Sequence, residues 1–271
     1  MEQKKDLAIV LKTIRYQDRH QIITALTQKN GKISALAKNS VASRRFGGSL
    51  NVFCLSEWLF TEKASGDFFY LNEANLVQDF SLVSKTYEKY VSGCFLIELL
   101  LKFIPEKLNA YEIFLLHSEA LAFLNKLSDS MLERQKFIFL SIYLMRLLKW
   151  HGSAPVFQDC FSCKKKLEVL QESSFIYYDI FKTRWCCTSC FQSHEIWLSL
   201  RVDVVKELLT SLTIQQSIDL TETTPKKHAD EYRTMFMFLY KFLAHTLPHT
   251  TTHGEEMFKS LRFLDVKSFA L

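Results

Sequence analysis

The sequence predicts an α+β protein in which a small closed β-barrel is followed by an all-helical domain carrying an inserted four-cysteine ribbon. Three observations carry this. Short apolar and β-branched runs separated by turn residues fill the stretch from Leu7 to Leu71. From about Val83 the apolar positions switch to helical spacing. Two Cys-x2-Cys pairs then interrupt the helical half. The chain has 271 residues, which suits two domains. The expected division is 1–80 for the barrel and 81–271 for the helical part, with the ribbon at about 156–198.

The barrel strands are expected at Ala8–Leu11, Gln21–Leu26, Lys32–Ala37 after the Asn30-Gly31 turn, Leu50–Phe60, and Phe68–Leu71 after Ala64-Ser65-Gly66-Asp67. A basic loop, Lys38–Gly48, separates the third from the fourth. Five short strands favour closure, which leaves no exposed sheet edge. Beyond them, Tyr87, Tyr90, Val91, Cys94, Phe95 and Leu99 repeat on one helical face. Asn109 with Glu112, and Ser130 with Glu133, have capping-box spacing and mark two more helix starts. The third helix, Met131–Lys149, should end near Gly152-Ser153-Ala154-Pro155. Further helices are expected at Val202–Leu212, at Pro225–His245 with Thr224 as cap, and at Glu255–Phe263.

Cys160-x2-Cys163 and Cys187-x2-Cys190, 23 residues apart, can converge on one structural zinc ion. Each Cys-x2-Cys turn sets two sulfurs on one side of the backbone, and four thiolates close the tetrahedral shell. The separation slightly exceeds the common range of about 15–20. Cys186 could replace Cys187 through Cys-x3-Cys spacing, His194 is a substitute ligand, and free thiols or a redox pair are the alternative to a metal. Ser173–Tyr178 and Phe181–Trp185 are expected to be the ribbon strands. Cys54 and Cys94 fall in apolar patterns and fit ordinary core positions.

The net charge is +5, but residues 1–50 alone hold ten basic and three acidic side chains, +7, which leaves −2 for the rest. That concentration suggests a polyanion contact at the N-terminal end, against the simpler reading of a solvated basic face. No apolar run is long enough for a signal sequence or a membrane span, so a cytoplasmic protein with reduced thiols and no membrane partner is expected. Phosphate-cradling glycine loops and a Gly-x-Ser-x-Gly elbow are absent. His245, His249 and His253 recur every four residues, but Pro248 interrupts the helix they would need. A non-enzymatic protein is expected.

Ala8-Ile9-Val10-Leu11-Lys12, Ile22–Thr27, Gly31–Lys38 and Ser43-Arg44-Arg45-Phe46-Gly47-Gly48-Ser49-Leu50 closely resemble the opening of RecO proteins. Phe95–Leu100, the run Phe137–Gly152 leading to Cys160, and Lys259–Leu264 resemble the same family in the same order. The chain departs from the family where Gln17-Asp18 replaces a usual Gly-Glu, Asn39 replaces a usual glycine after Lys38, and Lys149-Trp150-His151-Gly152 replaces a Leu-Gly pair. These changes bear on loop geometry.

The resemblance implies an OB-type barrel, a helical domain with a zinc ribbon, and a bacterial, nucleoid-associated role in DNA repair by homologous recombination. RecO-like proteins bind single- and double-stranded DNA and anneal complementary strands. With RecR they help RecA replace the single-strand-binding protein. On this reading Lys12, Arg15, Lys32, Lys38, Arg44 and Arg45 are candidate phosphate contacts. Phe46 is a candidate base-stacking platform, with a core anchor for the loop as its alternative. Arg134 and Lys136 are candidate contacts for the acidic C-terminal tail of the single-strand-binding protein. Two other classes stay open: an RNA-directed or sequence-specific OB and zinc-ribbon binder, and a zinc-stabilised protein adaptor.

Overall fold

Five N-terminal strands close a barrel, as the turn signals require. The computed structural model describes residues 3–62, 69–192, 197–213, 229–246 and 259–264. The strands are β1 (Gln3–Tyr16), β2 (His20–Thr27), β3 (Gly31–Ala37), β4 (Cys54–Glu62) and β5 (Phe69–Asp79). Their order around the barrel is β1-β2-β3-β5-β4, the OB arrangement, with β3 and β5 parallel and the other pairs antiparallel. The interior is filled by Val10, Ile23, Ala25, Ile33, Trp58, Phe60 and Phe69, among others.

The β2–β3 turn shows how local chemistry fixes the register. Asp6 is buried, and its carboxylate accepts hydrogen bonds from the Lys29 and Asn30 backbone N–H groups and from Asn30 Nδ2. Gly31 follows at φ +69, where a Cβ would come within 2.0 Å of the Leu108 carbonyl oxygen, so only glycine fits.

Two barrel strands differ from expectation. β4 starts at Cys54 rather than Leu50, because Phe53 takes φ 67 and breaks the extended run. β5 continues to Asp79, well past Leu71. Its distal half pairs by backbone with β4 while its side chains are mostly exposed, so no buried periodicity marks it. At both departures from the family glycines the backbone stays left-handed: Gln17 has φ 55 and Asn39 φ 54. The loops therefore keep the turns that glycine would supply.

The helical elements are α1 (Tyr87–Phe103), α2 (Tyr111–Lys126), α3 (Asp129–His151), α4 (Val202–Thr213) and α5 (Ala229–Thr246). A short 3-10 turn at Ser81–Ser84 precedes α1, which begins after Val83 rather than at it. Asn109 Oδ1 accepts the Tyr111 N–H, but Ala110 holds the cap position of α2. α3 begins at Asp129, so Ser130 lies inside its first turn. Thr224, Pro225, His249 and His253 lie outside the described residues. Of the helix expected at Glu255–Phe263, the described part, Lys259–Phe263, forms a 3-10 turn, held by the Glu98 carboxylate through the Lys259 and Ser260 N–H groups, and residues 255–258 lie outside the described residues. Among the described residues no helix is long and apolar enough to cross a membrane.

The ribbon is a three-stranded sheet of β6 (Phe175–Asp179), β7 (Arg184–Cys187) and β8 (Leu198–Arg201), ordered β7-β6-β8. The third strand was not expected from the sequence. By packing, the chain forms two compact units. The first holds the barrel, α1, α2 and the turn at 259–263. The second holds α3, the ribbon, α4 and α5. In the second, Tyr178 of β6 lies edge-on to Phe238 of α5, with centroids 4.9 Å apart, and near Phe157 at 5.4 Å. Arg201 joins β8 to α4 and α5 through Asp203 and Glu231.

Candidate functional site

The cysteine pairs converge. The sulfurs of Cys160, Cys163, Cys187 and Cys190 all lie within 4.8 Å of one another. The first knuckle is a tight turn: the Lys164 N–H donates to the Cys160 carbonyl, and Lys164 takes φ 61. The second begins where β7 ends, with the Phe191 N–H donating to the Cys187 carbonyl. Cys163 Sγ and Cys187 Sγ are 3.8 Å apart. A tetrahedral shell with metal–sulfur bonds of about 2.3 Å sets its sulfurs about 3.8 Å apart, so the geometry fits a metal ion held by four thiolates.

The electrostatics favour the thiolate at Cys160 and oppose it at Cys190. Burial pushes the Cys160 thiol up, but backbone N–H groups of Cys163, Cys187 and Ser162 outweigh it and bring the thiol down to about 6. Cys190 is pushed up to about 12, chiefly by sharing its proton with Cys163 and Cys187. Cys186 is outside the cluster. Its Sγ neighbours Cys160 and lies 3.6 Å from Ser162 Oγ, but it is not one of the four sulfurs that converge. His194 lies outside the described residues.

The barrel carries the second candidate surface. Its register sets Lys12 beside Thr24 and Ser34, and Ile14 in one row with Ile22, Leu36 and Tyr70. Tyr16 pairs with His20 at the end of the same face. These positions alternate with the inward set that fills the core, so they share the outer face. Ile14 and Tyr16 are 44% and 45% exposed. The Lys38 ammonium sits 4.5 Å above the Tyr70 ring.

The basic loop is tied to this end of the barrel. The Asn39 N–H donates to His20 Nδ1, and the Val41 N–H to the Arg19 carbonyl. Arg44 and Arg45 are exposed on a 3-10 turn whose cap, Ser43, accepts from the Arg45 N–H. Arg15 is exposed near the end of β1. Lys12, Arg15, Lys38, Arg44 and Arg45 are thus displayed to solvent. Sequence reasoning missed Ile14, Tyr16 and Tyr70, which the strand alternation from Lys12 onward could have placed on one face.

Three candidate residues are corrected. Lys32 is buried, and its Nζ donates to the Leu101 carbonyl oxygen at 2.6 Å. Burial lowers its pKa, with the Glu106 carboxylate acting the other way. It secures β3 to the end of α1 and is not presented to a phosphate. Phe46 is 3% exposed and belongs to the barrel core, so it anchors the loop instead of stacking on a base. Phe46→Ala should therefore destabilise the fold by about 3–5 kcal/mol, read by thermal or denaturant unfolding.

Lys136 is the third. It is buried on α3 with its ammonium 5.2 Å from the Phe137 ring, whereas Arg134 is exposed and donates from Nε to the Ser130 carbonyl. Two residues apart on a helix, they diverge by about 200° and cannot grip one carboxylate together.

Comparison with known proteins bears on the whole chain. Residues 1–80 match the family model described as Recombination protein O N terminal, and residues 84–211 the one described as Recombination protein O C terminal. A DNA repair protein RecO of Syntrophus aciditrophicus is 29% identical over 96% of this chain and 95% of its own length. One of Desulfatibacillum aliphaticivorans is 31% identical over 74% of this chain and 77% of its own.

Proposed function

This chain belongs to the RecO family, and from that premise we propose that it is a DNA repair protein that binds single- and double-stranded DNA and anneals complementary strands. With RecR it would promote RecA loading on DNA coated by the single-strand-binding protein, in the cytoplasm and near the nucleoid. The observation that carries this reading is the outer barrel face, where Lys12 and Lys38 flank Ile14, Tyr16 and Tyr70 beside the Arg44–Arg45 turn. Cations along a groove neutralise phosphates without reading sequence, and exposed rings stack on bases of any identity. An OB barrel presents this face to oligonucleotides.

Annealing needs no bond making by the protein. Neutralised strands approach and base pairing drives the product, so the chain acts as a scaffold and not as an enzyme. The four-cysteine shell would hold a structural zinc ion, whose contribution is to close the two knuckles. Arg134 remains the exposed candidate on α3 for the tail of the single-strand-binding protein.

Fluorescence anisotropy with labelled single strands over a salt series, paired with an annealing assay on complementary oligonucleotides, tests the proposal. Steeply salt-dependent binding with accelerated annealing is expected. Tyr16→Ala and Tyr70→Ala should each weaken single-strand binding about tenfold, in line with stacking worth ~1–3 kcal/mol per base. Binding indifferent to salt and to both tyrosines would leave the adaptor reading in front.

A further inference from the structure

The ribbon carries a cavity of about 230 Å³ that the barrel reading does not use. Phe161, Ser162, Arg184, Gln192 and Trp197 are among its lining residues. It is smaller than the roughly 300–1,000 Å³ of sites that enclose a drug-sized molecule, and suits one planar ring. Phe161 is 48% exposed, and its backbone is tied to β7 by the N–H donating to the Trp185 carbonyl oxygen. The Arg184 guanidinium lies 3.8 Å from the centre of that ring. The opposite wall is also rigid: Phe191 stacks on Tyr177 of β6 at 3.8 Å, and Trp197 stands edge-on to Phe191. Trp197 Nε1 is a buried donor with no acceptor among the described residues.

The charges around the cavity are locally cationic. Lys164, Lys165 and Lys166 follow the first knuckle with exposed side chains, and the Lys164 ammonium is 5.7 Å from the Phe161 ring. Of the nearby acids, Asp159 pairs with Lys164 at 3.9 Å, and Asp179 is buried and accepts the Phe181 and Lys182 N–H groups, which leaves Lys165 and Lys166 as the cations offered to a ligand. Exposed aromatic, flat guanidinium and amide around a ring-sized space, with lysines beside it, match an unstacked base and its phosphates.

We propose that the ribbon holds a second single-strand contact, in which one splayed-out base enters this cavity between Phe161 and Trp197 while Lys165 and Lys166 meet the adjoining phosphates. The inference rests on the chain being a single-strand binder but uses residues separate from the barrel face. The Arg184 guanidinium, already over the Phe161 ring, would extend the stacking platform while Gln192 faces the base edge, and the contact would tolerate any sequence because stacking does.

The test is photocrosslinking of the full-length, metal-loaded protein to a single strand containing 5-iododeoxyuridine, with the adducts mapped by mass spectrometry. Adducts on Phe161 or Trp197, beside those on the barrel, are expected. Phe161→Ala should weaken single-strand binding about tenfold. Lys165→Glu with Lys166→Glu, both surface changes, should do so in a salt-dependent way. Adducts confined to the barrel, or an affinity that these variants leave unchanged, overturn the ribbon site and leave the barrel reading intact. No binding and no adduct anywhere overturn both.

Discussion

Cys187→Ser is expected to abolish metal binding, taking the zinc content from about one per chain to near zero, and to unfold the ribbon. The four sulfurs form a closed set within 4.8 Å, and a structural zinc ion in such a shell stabilises its fold by about 10–16 kcal/mol at neutral pH. Little else in the ribbon is of that size. Its strands have four or five residues, and its buried side chains, such as Ile176, Tyr178, Trp185 and Leu200, form only a thin layer. Loss of the ion should therefore free Trp185 and the Tyr178–Phe238 contact, read as a red shift in tryptophan emission and a loss of near-ultraviolet dichroism. The barrel, whose core is composed of its own residues, should keep its unfolding transition.

Cys186→Ser is the matched control and should retain full occupancy. The reverse result, with metal kept in Cys187→Ser and lost in Cys186→Ser, would overturn the ligand assignment. Chelator should reproduce the Cys187→Ser behaviour, and acid should as well, since ligating thiolates take up protons as the pH falls. Because thiols must lose their protons to ligate, zinc binding should release protons measurable in weakly buffered solution.

The cysteine shell was legible because ligand spacing is a local property: two residues between cysteines suffice to make a knuckle. Whether Cys186 or Cys187 joins the other three sulfurs was not, because that depends on the pairing of β7 with β6. The barrel was legible from its turns and β-branched runs. What the sequence hid was which basic and aromatic residues remain exposed. Lys32 and Lys38 look alike in sequence, yet Lys32 is closed off by a carbonyl 69 positions away, at Leu101, while Lys38 lies over Tyr70 in the open. Phe46 sits in a loop of small and charged residues that suggested exposure, but the loop folds back and inserts its only large aromatic side chain between the strands. Burial by a distant element leaves no local trace, whereas strand parity does. Tyr16 and Tyr70 could be placed on the outer face once the strands were in register.

Reversing Lys38, Arg44 and Arg45 to glutamate should weaken single-strand binding on the order of 100-fold or more at moderate salt. All three are exposed at the same end of the barrel, and the turn bearing the two arginines is fixed by Ser43 and by the Ser49 hydroxyl, whose one hydrogen is shared between the Phe46 and Ala74 carbonyls. The backbone that carries the two arginines is therefore already ordered before DNA arrives. Removing each cation weakens binding by roughly 1 kcal/mol, the scale of an exposed charge pair, and each glutamate adds repulsion against phosphate. The decisive quantity is the salt slope, which falls by ~0.7 for every phosphate of a single strand that is no longer neutralised. With three phosphates released in this way, the slope should flatten by about 2. Lys32→Glu provides the contrast, because its effect should be loss of stability with no change in slope for the fraction that remains folded: it forces a second negative charge beside Glu106 in a buried setting. An unchanged slope in the triple variant would place the strand elsewhere on the molecule. A slope changed by Lys32→Glu in fully folded protein would mean that the outer end of β3 opens when DNA binds.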